Sequence, residues 1–161
     1  MIIQSAELGE LSGHEAGRKL LEKMYRQCTG KPMPPVLETD RGKPYFAGDS
    51  LHFSISHTRR RVFCVLAENP VGIDAEETDR NIDLRLADKI LSPSERAFYD
   101  RAEDQRLTLL RFWVLKEAAA KCTGDGLRGY PNKTGFCPDD KRIKIIDNCL
   151  VAVIEEEQYA V

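Results

Sequence analysis

Asp74 and Glu76 stand two positions apart in Val71-Gly72-Ile73-Asp74-Ala75-Glu76-Glu77, a segment whose apolar start reads as a short strand. On a strand, residues i and i+2 share a face, so the two carboxylates project together. Held that close they repel one another unless something positive joins them, and a hard divalent cation bound through oxygens is the simplest answer. A solvated acidic strand end satisfies the same pattern. Further along, Phe112-Trp113-Val114-Leu115-Lys116-Glu117-Ala118-Ala119-Ala120-Lys121 is strongly apolar yet carries Lys116, Glu117 and Lys121. On a helix Glu117 and Lys121 lie about 40° apart, one turn along the same face. An i,i+4 ion pair worth about 0.2–0.5 kcal/mol is the local reading. The other reading makes Glu117 a third metal carboxylate and sets the lysines toward a polyphosphate. A third segment, Phe53-Ser54-Ile55-Ser56-His57, puts His57 by strand parity on the apolar side with Phe53 and Ile55. A histidine there is either a core residue with its ring nitrogens satisfied or, beside a phosphate, a donor whose charge responds to that phosphate.

The elements that must position these residues follow from periodicity and punctuation. Ile2 and Ile3 open a short strand. Ala16, Leu20, Leu21 and Met24 recur at helical spacing from about Gly13 to Gln27, and Gly30 suits the exit. Lys31-Pro32-Met33-Pro34-Pro35 is an extended connector, and Asp40-Arg41-Gly42-Lys43-Pro44 a turn. Residues 51–57 alternate as a half-buried strand and, with Arg61 to Leu66 beyond the basic turn Thr58-Arg59-Arg60, form a hairpin. Asn69-Pro70 breaks the chain before the acidic strand. Helical patterning runs from about Leu84 to Ile90, and Ser92-Pro93-Ser94-Glu95 is a helix start with a capping box. A long helix spans about Asp104 to Cys122 and ends at Gly124. Lys141 to Ile146 and Cys149 to Ile154 read as two strands around an Asp147-Asn148 turn. Helix and hairpin material on either side of Asn69-Pro70 predicts an α+β protein with two small antiparallel sheets side by side.

Composition narrows the classes. The chain has 161 residues, 42% hydrophobic and 31% charged, enough for one sizeable core or two small halves sharing one. No apolar run approaches the roughly 20 residues of a membrane helix, so no membrane partner is expected. A net charge of −2 argues against nucleic acid as a partner. Met1-Ile2-Ile3-Gln4-Ser5 lacks the basic start and apolar stretch of a secretory signal, and a cytoplasmic location is the expectation. Five cysteines without a C-x-x-C pair read as reduced thiols, and the three histidines show no zinc-ligand spacing with them.

Taken in order, Gly42-Lys43-Pro44, Phe53-Ser54-Ile55-Ser56-His57, Gly72-Ile73-Asp74-Ala75-Glu76 and Trp113 to Lys121, followed by Gly124-Asp125-Gly126-Leu127, resemble the 4′-phosphopantetheinyl transferase superfamily. The likeness runs from about residue 13 to residue 130. With Asp74 in mid-chain it is similar to the surfactin-synthetase-activating type rather than to the short trimeric type. The resemblance implies a single domain over 1–161, built as a pseudo-dimer of halves at about 1–68 and 70–161. Each half would be a helix packed on a short antiparallel sheet, with coenzyme A in the cleft between them and a monomer as the working form.

Carried over residue by residue, the resemblance makes Asp74, Glu76 and Glu117 ligands of Mg2+, and Glu117 also the general base. It sets Lys121 on the pyrophosphate with Lys116 as a second basic position, and makes Lys43, Ser56 and His57 contacts to coenzyme A. Glu95 matches a family glutamate whose capping duty is a sufficient local explanation. The implied reaction moves 4′-phosphopantetheine from coenzyme A to a serine of an apo acyl or peptidyl carrier protein, releasing 3′,5′-ADP. Such carriers are generally acidic around that serine; Arg80, Arg85 and Lys89, or Arg59, Arg60 and Arg61, are candidate docking cations, or else solvated faces. Alternatives are a non-catalytic relative that binds coenzyme A or a carrier, and a magnesium phosphohydrolase. The chain departs from the family in its shorter length, in lacking a basic residue at Gly13 or His14 (Arg18 and Lys19 being substitutes), and in Ala75, where a larger aliphatic residue is usual.

Overall fold

A computed structural model describes residues 1–126 and 135–156, so Leu127 of the last matching segment lies outside the described residues. The first strand, β1 (Ile2–Glu7), leads into α1 (Gly13–Thr29). That helix starts at a capping box in which Ser12 Oγ accepts the Glu15 N–H and the Glu15 carboxylate accepts the Ser12 N–H. It stops at Gly30, whose φ of 70° is the left-handed conformation that glycine adopts without a Cβ clash. Two three-residue strands follow, β2 (Val36–Glu38) and β3 (Pro44–Phe46), paired with each other. The hairpin β4 (His52–His57) and β5 (Arg61–Ala67) completes a first sheet in the order β1-β5-β4, all antiparallel.

The acidic segment is β6 (Val71–Glu77). A 3₁₀ turn (Leu84–Leu86), α2 (Ala87–Ile90) and α3 (Pro93–Tyr99) lead to α4 (Gln105–Thr123). The predicted capping box at Ser92 is present, as is the long helix, capped by Asp104 and closed by Gly124. β7 (Ile143–Ile146) and β8 (Cys149–Glu155) close around Asp147 and Asn148, at φ 51° and 60°. Positive φ at both central residues marks the tight hairpin turn whose twist matches that of its strands. The second sheet runs β6-β8-β7. The same connectivity thus occurs twice: strand, helix, then a hairpin whose last strand takes the central place.

The α+β class is as the sequence predicts, but the sheets do not lie side by side; they face one another. β5 shows why, since Val62, Phe63, Cys64, Val65, Leu66 and Ala67 are all buried. A strand apolar at both parities needs cover on both faces. Val62, Cys64 and Leu66 meet Leu20, Leu21 and Met24 of α1. Phe63, Val65 and Ala67 meet Val71, Ile73 and Ala75 of β6 and Val151 of β8. The far face of the second sheet, Leu150 and Ala152, packs on Leu110, Val114 and Ala118 of α4. The result is four layers: helix, sheet, sheet, helix. Ala75, at 1% exposure, is enclosed in the inner core. No helix among the described residues is long and apolar enough to cross a membrane.

Candidate active site

On β6, parity sends Val71, Ile73 and Ala75 to the inner core and Gly72, Asp74 and Glu76 to the opposite face, where Gly72 meets α4. Gly72 lets that helix approach: a Cβ there would lie 2.0 Å from the Ala118 carbonyl oxygen and 2.4 Å from the Cys122 nitrogen. The close approach brings Lys121 within 2.6 Å of Asp74 Oδ1. The same oxygen accepts the Ser56 hydroxyl at 3.0 Å, while Asp74 Oδ2 is buried without a hydrogen-bond partner. Burial raises the Asp74 carboxyl above the usual carboxylate range, with Lys121 and Ser56 pulling the other way. Glu117 is raised as well, first by burial and then by the negative charge of Asp74, with Lys121 and Arg80 opposing. Asp74, Glu117 and Lys121 therefore form one electrostatic unit.

Glu76 is paired with Arg80, its i,i+4 neighbour, whose charge also acts on Glu117. Among the described residues no three acidic, histidine or cysteine side chains are drawn tightly enough to hold a metal ion. The donor chemistry nevertheless suits a hard cation: two repelling carboxyls, one with a buried, unpartnered oxygen. Glu76, the third carboxylate of the expected set, is held by Arg80 in this arrangement.

Two cavities flank the carboxylates. One of about 270 Å³ is lined by Lys43, Glu117, Lys121 and Gly124. The other, about 380 Å³, is lined by His57, Glu76 and Arg80. Lys43 crosses Gly124 and donates its ammonium to the Cys122 carbonyl, capping the end of α4 from across the cleft, and Arg41 pairs with Asp125 beside it. Gly124 has a φ of 78°, which favours glycine, and the Lys43 side chain lies close over it, 3.0 Å from where a Cβ would sit. His57 ends β4 exposed, its ring lying across Gly13, where a Cβ would come within 2.5 Å of the imidazole. Arg18 and Lys19 are exposed on α1.

Lys116 departs from the sequence expectation. Its side chain is 2% exposed and its ammonium lies 2.8 Å from Glu95 Oε2, so it does not enter the cleft. One residue along a helix is a rotation of about 100°, and Glu117 takes the cleft-facing position. Glu95, fully buried, also accepts the Ser92 N–H at 2.7 Å and the Phe136 N–H at 2.9 Å.

The candidate docking cations are largely engaged within the molecule. Arg80 holds Glu76 and Arg85 holds Asp83. Arg59 and Arg60 reach Glu77 and Asp79, and Arg61 reaches Glu7 and Asp147. A larger cavity of about 730 Å³ opens among these residues, where the hairpin turn at 58–60 meets the end of β6 and the 147–148 turn. It lies away from Asp74 and Glu117, and its charges answer one another. Ser54 and Gly72, both within the matching segments, have structural duties that need contacts far apart in the chain, and only the glycine itself signals one.

Comparison with known proteins places these observations in a family. The profile described as the 4′-phosphopantetheinyl transferase superfamily matches residues 70–158, the stretch from β6 through β8. The 4′-phosphopantetheinyl transferase gsp of Aneurinibacillus migulanus is 30% identical over 115 residues, 69% of this chain and 48% of that protein. The 4′-phosphopantetheinyl transferase psf-1 of Bacillus pumilus is 34% identical over 116 residues, covering 69% and 49%. The 4′-phosphopantetheinyl transferase HetI of Nostoc sp. is 31% identical over 164 residues, covering 86% and 68%. The chain matches about half the length of the first two.

Proposed function

This chain belongs to the 4′-phosphopantetheinyl transferase superfamily, and on that premise we propose that it transfers 4′-phosphopantetheine from coenzyme A to a serine of an apo acyl or peptidyl carrier protein. The observation that carries the reading is the meeting of Asp74, Glu117 and Lys121 where β6 packs on α4, beside a cavity lined by Lys43, Glu117 and Lys121. A solvated acidic strand end has no need of a buried aspartate gripped from two other elements.

In this reading Glu117 accepts the proton of the attacking serine hydroxyl. The serine oxygen bonds to the β-phosphorus as the bond from that phosphorus to the bridging oxygen breaks, and 3′,5′-ADP leaves with that oxygen. Lys121, released from Asp74, faces the departing phosphates. Lys43 and His57, on opposite flanks of the carboxylates, donate to the phosphates of coenzyme A. Mg2+, when held by Asp74, Glu76 and Glu117, supplies charge neutralisation on the pyrophosphate. Phosphoryl transfer asks chiefly for such alignment and charge stabilisation. The proposal extends to two halves at about 1–68 and 70–161, supported by the repeated connectivity, and to a cytoplasmic monomer.

The test is intact mass spectrometry of a panel of apo carriers incubated with the protein, Mg2+ and coenzyme A. A gain of one phosphopantetheine is expected; no gain on any carrier overturns the reading, and tight coenzyme A binding alongside that result marks a non-catalytic relative. Asp74→Ala and Glu117→Ala should each lower turnover by at least about 10²-fold. Near-normal rates in both would reject the assignment of these residues.

A further inference from the structure

Among the described residues β4 and β6 each form the outer edge of a sheet, and no backbone ladder joins them; β4 pairs with β5 and β6 with β8. An outer strand carries N–H groups that need partners, and burying them unpaired is costly. Here two serines meet that need. Ser54 Oγ accepts the Ile73 N–H and Ser56 Oγ accepts the Ala75 N–H, each at 3.1 Å. Both hydroxyls belong to residues only 6% exposed. The period of two on β4 matches the period of two on the edge of β6, so the rungs keep one register.

The two rungs differ in one respect. A hydroxyl has one proton to give, and Ser56 gives its proton to Asp74 Oδ1 at 3.0 Å. Lys121 takes the same oxygen from the α4 side. With Oδ1 fixed from both flanks, the orientation of the carboxyl is set and Oδ2 is the atom left without a partner. Sequence reasoning makes Ser56 a coenzyme A contact, yet its proton and one of its lone pairs are already committed inside the protein.

We propose that Ser56 is a positioning residue that holds Asp74 in its ligating orientation, and that Ser54 and Ser56 together are a two-rung side-chain ladder locking the halves in register at the cleft. The inference rests on the reading of Asp74 as a metal ligand. The first half of the chain thereby sets the geometry of a ligand carried by the second.

The test compares Ser54→Ala, Ser56→Ala and Ser56→Thr, reading Mn2+ binding by electron paramagnetic resonance, the rate and coenzyme A dependence of carrier modification, and the urea midpoint. Both alanine variants should lower the urea midpoint, because each orphans one N–H of β6, and Ser56→Ala should lower it further, because it also removes a donor from the buried Asp74 carboxyl. Only Ser56→Ala should weaken Mn2+ binding, by ~10-fold, as loss of an outer partner to a metal ligand commonly does. Its kcat should fall in step while KM for coenzyme A stays near that of the wild type, and Ser56→Thr, which keeps the hydroxyl, should restore both. Should Ser56→Ala fail to fold, Ser56→Cys, close to serine in size and a weak donor, carries the same expectation. Equal Mn2+ affinity in Ser54→Ala and Ser56→Ala, with the wild type active, overturns this inference alone. A rise in KM with unchanged Mn2+ affinity does so too, and would return Ser56 to coenzyme A. A wild type that modifies no carrier overturns the reading beneath it as well.

Discussion

Lys116 and Glu117 are adjacent in the chain and do opposite work. The lysine turns into the core against Glu95, and burial pulls its pKa down while Glu95 holds it up. Removing Glu95 takes from the buried lysine the carboxylate 2.8 Å from its ammonium. Glu95→Ala should therefore cost about 3–5 kcal/mol of stability by urea titration, with loss of the Ser92 cap adding to it. Adding Lys116→Met to that variant should recover much of the loss; a double variant no more stable than Glu95→Ala would show that the charge is not the cause. A different residue pair governs pH dependence. The Tyr25 hydroxyl donates to Asp49, holding that carboxyl below the usual aspartate range and keeping the tyrosine proton on to higher pH. The depressed aspartate contributes stability above its unfolded pKa and loses it as pH falls; the raised tyrosine contributes below its unfolded pKa and loses it as pH rises. The gap in melting temperature between the wild type and Tyr25→Phe should be widest between about pH 5 and pH 9 and narrow on both sides. A gap independent of pH would rule the pair out as its source.

β6 and α4 are the elements on which the candidate chemistry depends, and Gly72 sets their separation. The atoms that a Cβ would strike, the Ala118 oxygen and the Cys122 nitrogen, belong to a helix backbone and cannot swing aside. Gly72→Ala should lie at or beyond the upper end of the about 1–3 kcal/mol usual for overpacking. Turnover should fall with it, since a displaced helix carries Glu117 and Lys121 away from Asp74. Wild-type stability in a melt of this variant would mean that the helix yields freely. What could be read from the sequence at this scale was what local chemistry writes there: the Ser92 capping box, the stop at Gly124, the Asp147-Asn148 turn, and the parity that sends Asp74 and Glu76 to one face. The paired strands β2 and β3 span three residues each, too short for a period to register. The duties of Ser56 and Lys116 depend on partners 18 and 21 positions away, which spacing along one element cannot reveal. Facing sheets escaped for a related reason: a strand buried on both sides has no alternation to say what covers it.

At the scale of the molecule, the two sheets share a single inner core, and stability should follow from that. Phe63, fully buried, stands on the central strand of the first sheet and packs against strands of the second. The sole tryptophan, Trp113, sits on α4 in the opposite outer layer, packed on a different cluster. If the halves folded independently, a cavity at Phe63 would leave the fluorescence transition of Trp113 where it was. A shared core couples them, because neither sheet can bury its inner face without the other. Phe63→Ala should cost about 3–5 kcal/mol and shift the urea midpoints by Trp113 fluorescence and by far-ultraviolet circular dichroism together. Two separated transitions, or a fluorescence midpoint unmoved by the substitution, would mean that the layers stand alone.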